Sequence, residues 1–153
     1  MVSATPHPKS PWTDRFRQPS LDELRSHYDK QACSLVDRAR EMLLDFEGVR
    51  EGIEWHGVPW RWTLVYTCPD DPTRAWAYLV PSPEKPQIVV PLTTEMIESI
   101  PVHRLKKHVR DGIRGGRQVA DICWASWDIG TRNELEDVVS LAKRKHKMIS
   151  AHN

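Results

Sequence analysis

Long hydrophobic runs are absent from this 153-residue sequence. The longest stretches without a charged side chain, such as residues 75–83, contain proline, whereas a membrane-spanning helix needs roughly 20 apolar residues. We therefore predict no membrane span. The first residues also lack the apolar segment of a secretory signal peptide, so none is predicted.

Cysteine is scarce, and its three positions, Cys33, Cys68 and Cys123, are far apart. Disulfide frameworks and structural zinc sites use cysteines at paired spacings, and the sequence contains no CxxC pair. We therefore expect three free thiols. Because free thiols persist in a reducing compartment, a cytoplasmic location is predicted.

Specific catalytic motifs are also lacking. The sequence contains no nucleophile elbow, P-loop, Rossmann fingerprint or HExxH motif. An enzyme hypothesis rests on Glu54 and His56, which are two residues apart in a tryptophan-rich segment and could act as orienter and base. A polar turn residue explains His56 without any reaction, so we favour a protein without catalytic activity and predict no cofactor.

The composition favours one folded domain behind a proline-rich arm. Hydrophobic residues make up 39% of the chain and charged residues 28%, which is typical of a folded protein. Residues 1–19 contain four prolines, which disfavour regular secondary structure. We predict an N-terminal arm over residues 1–19, a single domain over residues 20–149 and a tail over residues 150–153.

Capping signals and hydrophobic periodicity predict an α+β fold. Ser20 and Glu23 form a capping box before a long amphipathic segment, and Asp29 is a second N-cap within it. Short links rich in proline and aspartate favour antiparallel neighbours. We predict a mostly antiparallel five-stranded meander sheet packed with N-terminal and C-terminal helices, with strands over residues 50–57, 60–67, 74–81, 87–91 and 117–127.

Aromatic residues alternate along the second and third predicted strands. Side chains two apart on a strand share one face of the sheet. Since an aromatic ring buries on the order of 150–250 Å², the alternating face should lie beneath the helix that precedes the sheet. The side chains expected to be buried there are Trp62, Leu64, Trp76 and Tyr78. The rings expected to be more exposed are Trp12, Trp55 and Trp60.

The same rings predict a binding site. Aromatic walls with few charges fit a small, partly apolar ligand, and they also fit a protein partner. We predict a cleft between the sheet and the helices, rimmed by Trp55, His56, Trp60, Trp62 and Trp76. A nucleic-acid partner is disfavoured, because the rings are expected to be covered and the net charge is only +1.

Two basic segments occur in the C-terminal third of the chain. The sequence Arg114-Gly115-Gly116-Arg117 offers backbone amides and guanidinium groups, so Arg114 and Arg117 could bind an anion. A helix C-terminus followed by a turn explains the same residues without a ligand. The run of basic side chains over residues 143–147 predicts a solvated helix end.

The segment Ile53-Glu54-Trp55-His56-Gly57-Val58-Pro59, placed after an amphipathic helix, resembles the opening of YdhG-like domains. These are small bacterial domains, most of them of unknown function. The resemblance continues through the meander, the segment 114–117 and the C-terminal helix, and therefore covers residues 20–149.

Some YdhG-like domains are described as frataxin-like iron-binding proteins, and the resemblance therefore implies a carboxylate site. Asp37, Glu41 and Asp45 are four residues apart and share a helix face, where their oxygens could hold a hard cation. Arg38 and Arg40 lie beside them and could pair with the same carboxylates. A metal-handling role is therefore an alternative to the binding domain.

Overall fold

The computed structural model describes residues 10–57 and 60–151, which contain six β-strands and five α-helices. The strands are β1 (Arg50–Trp55), β2 (Trp62–Thr67), β3 (Ala77–Val80), β4 (Gln87–Thr93), β5 (Arg117–Val119) and β6 (Ile122–Asp128). They form one sheet in the order β1-β2-β3-β4-β6-β5, and every neighbouring pair is antiparallel. Residues 1–9 of the predicted arm, Val58 and Pro59 between the first two predicted strands, and residues 152–153 of the predicted tail lie outside the described residues.

The α+β class and the antiparallel sheet are confirmed, but the sheet has six strands instead of five. Residues 117–127, predicted as one strand, form the hairpin β5–β6 with a two-residue turn at Ala120 and Asp121. Ala120 has φ +52°, a conformation that turns usually assign to glycine or asparagine. Because alanine is no turn signal, the sequence pattern did not reveal the hairpin.

The helices are α1 (Leu21–Arg25), α2 (Lys30–Leu44), α3 (Thr94–Ser99), α4 (Lys107–Arg114) and α5 (Arg132–Ala151). Ser20 and Glu23 form the predicted capping box of α1, and the Asp29 carboxylate caps α2 by accepting from the Ala32 amide at 2.8 Å. The second N-cap predicted at Asp29 is therefore confirmed, and it divides the segment into two helices. Over the described ranges, no helix has the length and hydropathy needed to cross a membrane.

The helices pack on one face of the sheet. The main hydrophobic core contains buried side chains from α2, α3, α4 and α5 together with one side of each central strand. A second, smaller cluster contains no helix residue and consists of Val65, Ala75, Tyr78, Val80 and Val89. We call the two sides the helix-covered face and the helix-free face. Three half-buried indoles pack against the second cluster: Trp12, Trp60 and Trp124.

An irregularity before β3 reverses part of the predicted pattern. The Trp76 amide donates to the Tyr66 carbonyl at 2.8 Å, and Ala77 is the register partner of Tyr66. Trp76 and Ala77 therefore both lie opposite Tyr66, which is the arrangement of a β-bulge. Trp76 and Ala77 both belong to the main core, and Tyr78 lies on the helix-free face. The prediction that Tyr78 lies beneath the helix was wrong, although its burial was predicted correctly.

Gly112 allows α4 to approach the sheet closely. A Cβ at this position would overlap the indole of Trp127. That ring cannot easily move aside, because it is buried and its N–H donates to the His108 carbonyl at 3.0 Å. The packing of α4 on β6 therefore depends on the absence of a side chain at residue 112.

Gly112→Ala should lower the free energy of unfolding by about 1–3 kcal/mol through overpacking, although helix propensity alone would favour alanine by about 1 kcal/mol. Gly52→Ala is the control, because its added Cβ would meet no atom within 4 Å. Urea unfolding of both variants measures the difference. A Gly112→Ala variant as stable as the wild type would contradict the close approach.

Candidate functional site

The helix-free face contains a concavity of about 520 Å³. Its base follows a row of register partners across three strands: Tyr78 in β3 pairs with Val89 in β4, which pairs with Ser126 in β6. His56 and Trp60, which lie in the β1–β2 connection, line one side. Trp124 in β6 and residues of β5 line the other side, so both edges of the sheet contribute to the same concavity.

Three aromatic rings form the centre of this site. The Trp60 ring centroid lies 5.1 Å from that of Tyr78 and 5.9 Å from that of Trp124, and the centroids of Tyr78 and Trp124 are also 5.9 Å apart. The rings meet at angles of 37° to 68°, in tilted or edge contacts. Tyr78 is 6% exposed, whereas the two indoles are half-buried. The indoles therefore keep apolar surface that a ligand could cover. We call this set the aromatic triad.

Polar groups surround the aromatic triad. The His56 imidazole lies with its centroid 5.2 Å from that of Tyr78, and its Nε2 is 3.3 Å from Oε2 of Glu54. The Gln87 amide donates to the Asp128 carboxylate at 2.8 Å. Burial raises the pKa of the Tyr78 phenol, and the Glu54 carboxylate raises it further. The phenol therefore remains a neutral donor at physiological pH.

Two of the five predicted ligand residues, His56 and Trp60, line the concavity. The other three lie elsewhere. Trp55 and Trp62 contact each other with centroids 5.7 Å apart, on the side of the sheet that carries Ile53 and Leu64. Trp76 is fully buried in the main core and donates to the Ala142 carbonyl at 3.0 Å.

The prediction that these residues rim a cleft between the sheet and the helices was wrong, because side chains of the main core pack between the sheet and the helices. The lining residues that the predicted site omitted are chiefly Tyr78, Trp124 and Ser126. Tyr78 was assigned to the wrong face because of the bulge. Trp124 could have been found from its spacing with Ser126, since both share one face of β6, but only the pairing with β4 places that face beside Tyr78.

The two arginines of the predicted anion loop have different positions. Arg117 lines the concavity, whereas Arg114 is exposed at the end of α4 and is not part of the lining. Gly116 has a packing role, since a Cβ there would lie 2.6 Å from Sγ of Cys123 and 3.1 Å from the Trp124 carbonyl oxygen. The glycine is therefore required by the contact with β6, whether or not an anion binds.

The predicted metal ligands are already engaged or exposed. The Asp37 carboxylate pairs with the Arg25 guanidinium at 2.7 Å, and Glu41 pairs with Arg38 at 3.2 Å. Asp45 follows the last residue of α2 as its exposed C-cap. Within residues 10–57 and 60–151, no group of three or more His, Cys, Asp or Glu side chains is arranged to hold a metal ion.

Lys145 is a buried cation that the sequence analysis missed. Its side chain is 0% exposed, and its ammonium donates to Thr73 Oγ1 at 2.8 Å, the Trp76 carbonyl at 3.0 Å and the Ala75 carbonyl at 3.3 Å. The buried Asp71 carboxylate lies 3.8 Å away. Burial lowers the pKa of Lys145 to about 8. These contacts use the three donors of the ammonium, and the side chain has no exposed surface.

The prediction that the basic residues 143–147 form a solvated helix end was therefore wrong for Lys145, which is buried. On α5 this residue follows Leu141 and Ala142 and precedes Ile149, all of which are buried. Those spacings of three and four residues place it on the inward face of the helix. The spacing of the buried apolar residues on α5 could have predicted that Lys145 faces inward. The basic residues beside it in the sequence indicated an exposed position instead.

No protein family matches the chain, and no curated protein matches it. The resemblance to YdhG-like domains therefore remains a prediction.

Proposed function

We propose that this protein is a binding domain without catalytic activity, which holds a small, partly apolar ligand in the concavity on the helix-free face. The observation that carries the proposal is the aromatic triad, three mutually contacting rings beside a concavity of about 520 Å³. Ligand pockets typically have volumes of roughly 300–1,000 Å³ and combine apolar walls with a few polar groups. His56, Gln87 and Ser126 supply polar groups here.

The enzyme alternative is supported by one observation, the contact between His56 and Glu54 at the side of the concavity. One such pair defines no reaction class, whereas the aromatic triad offers apolar surface that a ligand could cover. The binding role is therefore preferred. A protein partner, a cytoplasmic location and membership of the YdhG-like family remain predictions.

Trp124→Ala and Trp60→Ala should each weaken the binding of a neutral aromatic probe, indole-3-ethanol, by roughly five- to a hundredfold. The reason is that stacking of a ring on an aromatic side chain contributes roughly 1–3 kcal/mol. The affinity can be followed by amide chemical-shift changes in NMR titrations, which also locate the probe.

Trp55→Ala is the matched control, because Trp55 is another half-buried indole but does not line the concavity. It should bind indole-3-ethanol as the wild type does. Absence of binding to the wild type, or equal binding by all three variants, would refute the proposed site.

A further inference from the structure

We infer that the ligand of the concavity is an aromatic acid, a planar ring with one anionic group, whose ring lies against the aromatic triad and whose anion pairs with Arg117. This inference rests on the proposed function. It adds the charge of the ligand and its orientation, and it assigns to Arg117 the role of determining specificity.

Arg117 has the position that such a role requires. It is the register partner of Trp124 across β5 and β6, and cross-strand partners have Cβ atoms roughly 4.5–5.5 Å apart. Both side chains line the concavity. A guanidinium group beside an indole can therefore reach the anionic substituent of a ring that contacts the same indole.

No residue that the structure describes neutralises the charge of Arg117. Among the residues that the structure describes, Arg117 is exposed and forms no ion pair. It is also the one arginine or lysine among the described lining residues. By contrast, the Arg61 guanidinium lies 5.3 Å from the ring centroid of Trp12. A planar guanidinium matches the geometry of a carboxylate or a phosphate through paired hydrogen bonds.

The other charges around the site fix the orientation of the ligand. The Glu54 carboxylate lies beside His56, on the side of the concavity opposite β5. It repels an anion there and favours placement of the anionic group at Arg117. The ring is then left to contact Trp60, Tyr78 and Trp124.

A single arginine also limits the size of the ligand. Proteins that bind single-stranded nucleic acid combine stacking rings with a basic groove that follows several phosphates. This concavity has one arginine in its described lining, and the net charge of the chain is +1. The arrangement therefore fits one ring with one anionic group better than a polynucleotide.

The test compares acidic and neutral probes of the same ring by isothermal titration calorimetry. Indole-3-acetate is paired with indole-3-ethanol, and phenyl phosphate is paired with phenol, so that the two pairs distinguish a carboxylate from a phosphate. We expect at least one acid to bind the wild type about tenfold or more tightly than its neutral partner, because a charge-assisted hydrogen bond forms only with the acid.

Arg117→Gln should reduce that ratio to about one, because the acid loses its charged partner. Arg114→Gln is the matched control, since Arg114 is a nearby exposed arginine outside the lining, and it should keep the wild-type ratio. Raising the salt concentration should weaken binding of the acid and not of the neutral probe.

Four results would overturn the inference. If neutral and acidic probes bind equally at the aromatic triad, the proposed function stands and the role of Arg117 fails. If Arg117→Gln and Arg114→Gln lower the ratio equally, the preference is a general charge effect. Tighter, salt-dependent binding of an eight-nucleotide thymidine strand than of the acids would assign the face to nucleic acid. If no probe binds the wild type, the proposed function fails as well.

Discussion

Lys145→Met should lower the free energy of unfolding by about 3–5 kcal/mol, the usual cost of removing one partner from a buried charged pair. The substitution leaves the carboxylate of Asp71, whose side chain is 1% exposed, without its nearby cation. It also removes the donor that Thr73 Oγ1 and the carbonyls of Ala75 and Trp76 share. Urea-induced unfolding measures the loss.

Lys143→Met is the control for the charge of α5, because Lys143 is exposed on the same helix. Exposed substitutions of this kind usually change stability by less than about 0.5 kcal/mol. Adding Asp71→Asn to Lys145→Met should restore part of the lost stability, since the unpaired buried charge is then gone. A Lys145→Met variant as stable as Lys143→Met would show that the buried ammonium does not hold α5 to the segment before β3.

The pH dependence gives a second readout of the same group. The pKa of Lys145 is lowered by burial from 10.5 to about 8, so the folded protein loses this proton at lower pH than the unfolded chain. Between these two values the unfolded state binds more protons, and stability therefore rises with pH. The contribution of Lys145 should be constant below about pH 8, increase towards pH 10.5, and be absent from Lys145→Met.

Local signals explain most of the fold that could be predicted. The capping box at Ser20 and the N-cap at Asp29 act within a few residues, and both are present as predicted. The short proline-rich links correctly indicated antiparallel pairing. The bulge at Trp76 depends on the pairing of β3 with β2, and the hairpin turn at Ala120 has no glycine or asparagine at the residue with positive φ, so no local pattern indicated either of them.

The candidate site was harder to predict, because its residues come from several segments that only the register of the strands brings side by side. His56 and Trp60 were identified from the tryptophan-rich segment that also gave Trp55 and Trp62. The helices cover one side of the sheet, and this determines which of these four side chains can line the concavity on the other side. Trp124 contacts Trp60 although the two are far apart in sequence and the strands β3 and β4 lie between β2 and β6 in the sheet, so no local pattern could indicate the contact.

Trp76→Ala should also lower the free energy of unfolding by about 3–5 kcal/mol, the range for loss of a large buried aromatic side chain. The ring is fully buried, contacts Phe46 with centroids 4.9 Å apart, and donates to the Ala142 carbonyl. Its removal leaves a cavity in the main core and an unpaired buried carbonyl on α5. Thermal and urea unfolding measure the effect.

Trp60→Ala is the contrasting substitution, because Trp60 is half-buried on the helix-free face. It should cost less than half the stability that Trp76→Ala costs, and it should weaken ligand binding. Trp76→Phe, which keeps most of the ring volume, should remain folded and bind indole-3-ethanol as the wild type does. If Trp60→Ala proved more destabilising than Trp76→Ala, the assignment of Trp76 to the main core would be wrong. If Trp76→Phe lost the ligand while folded, the ligand would bind on the helix-covered face.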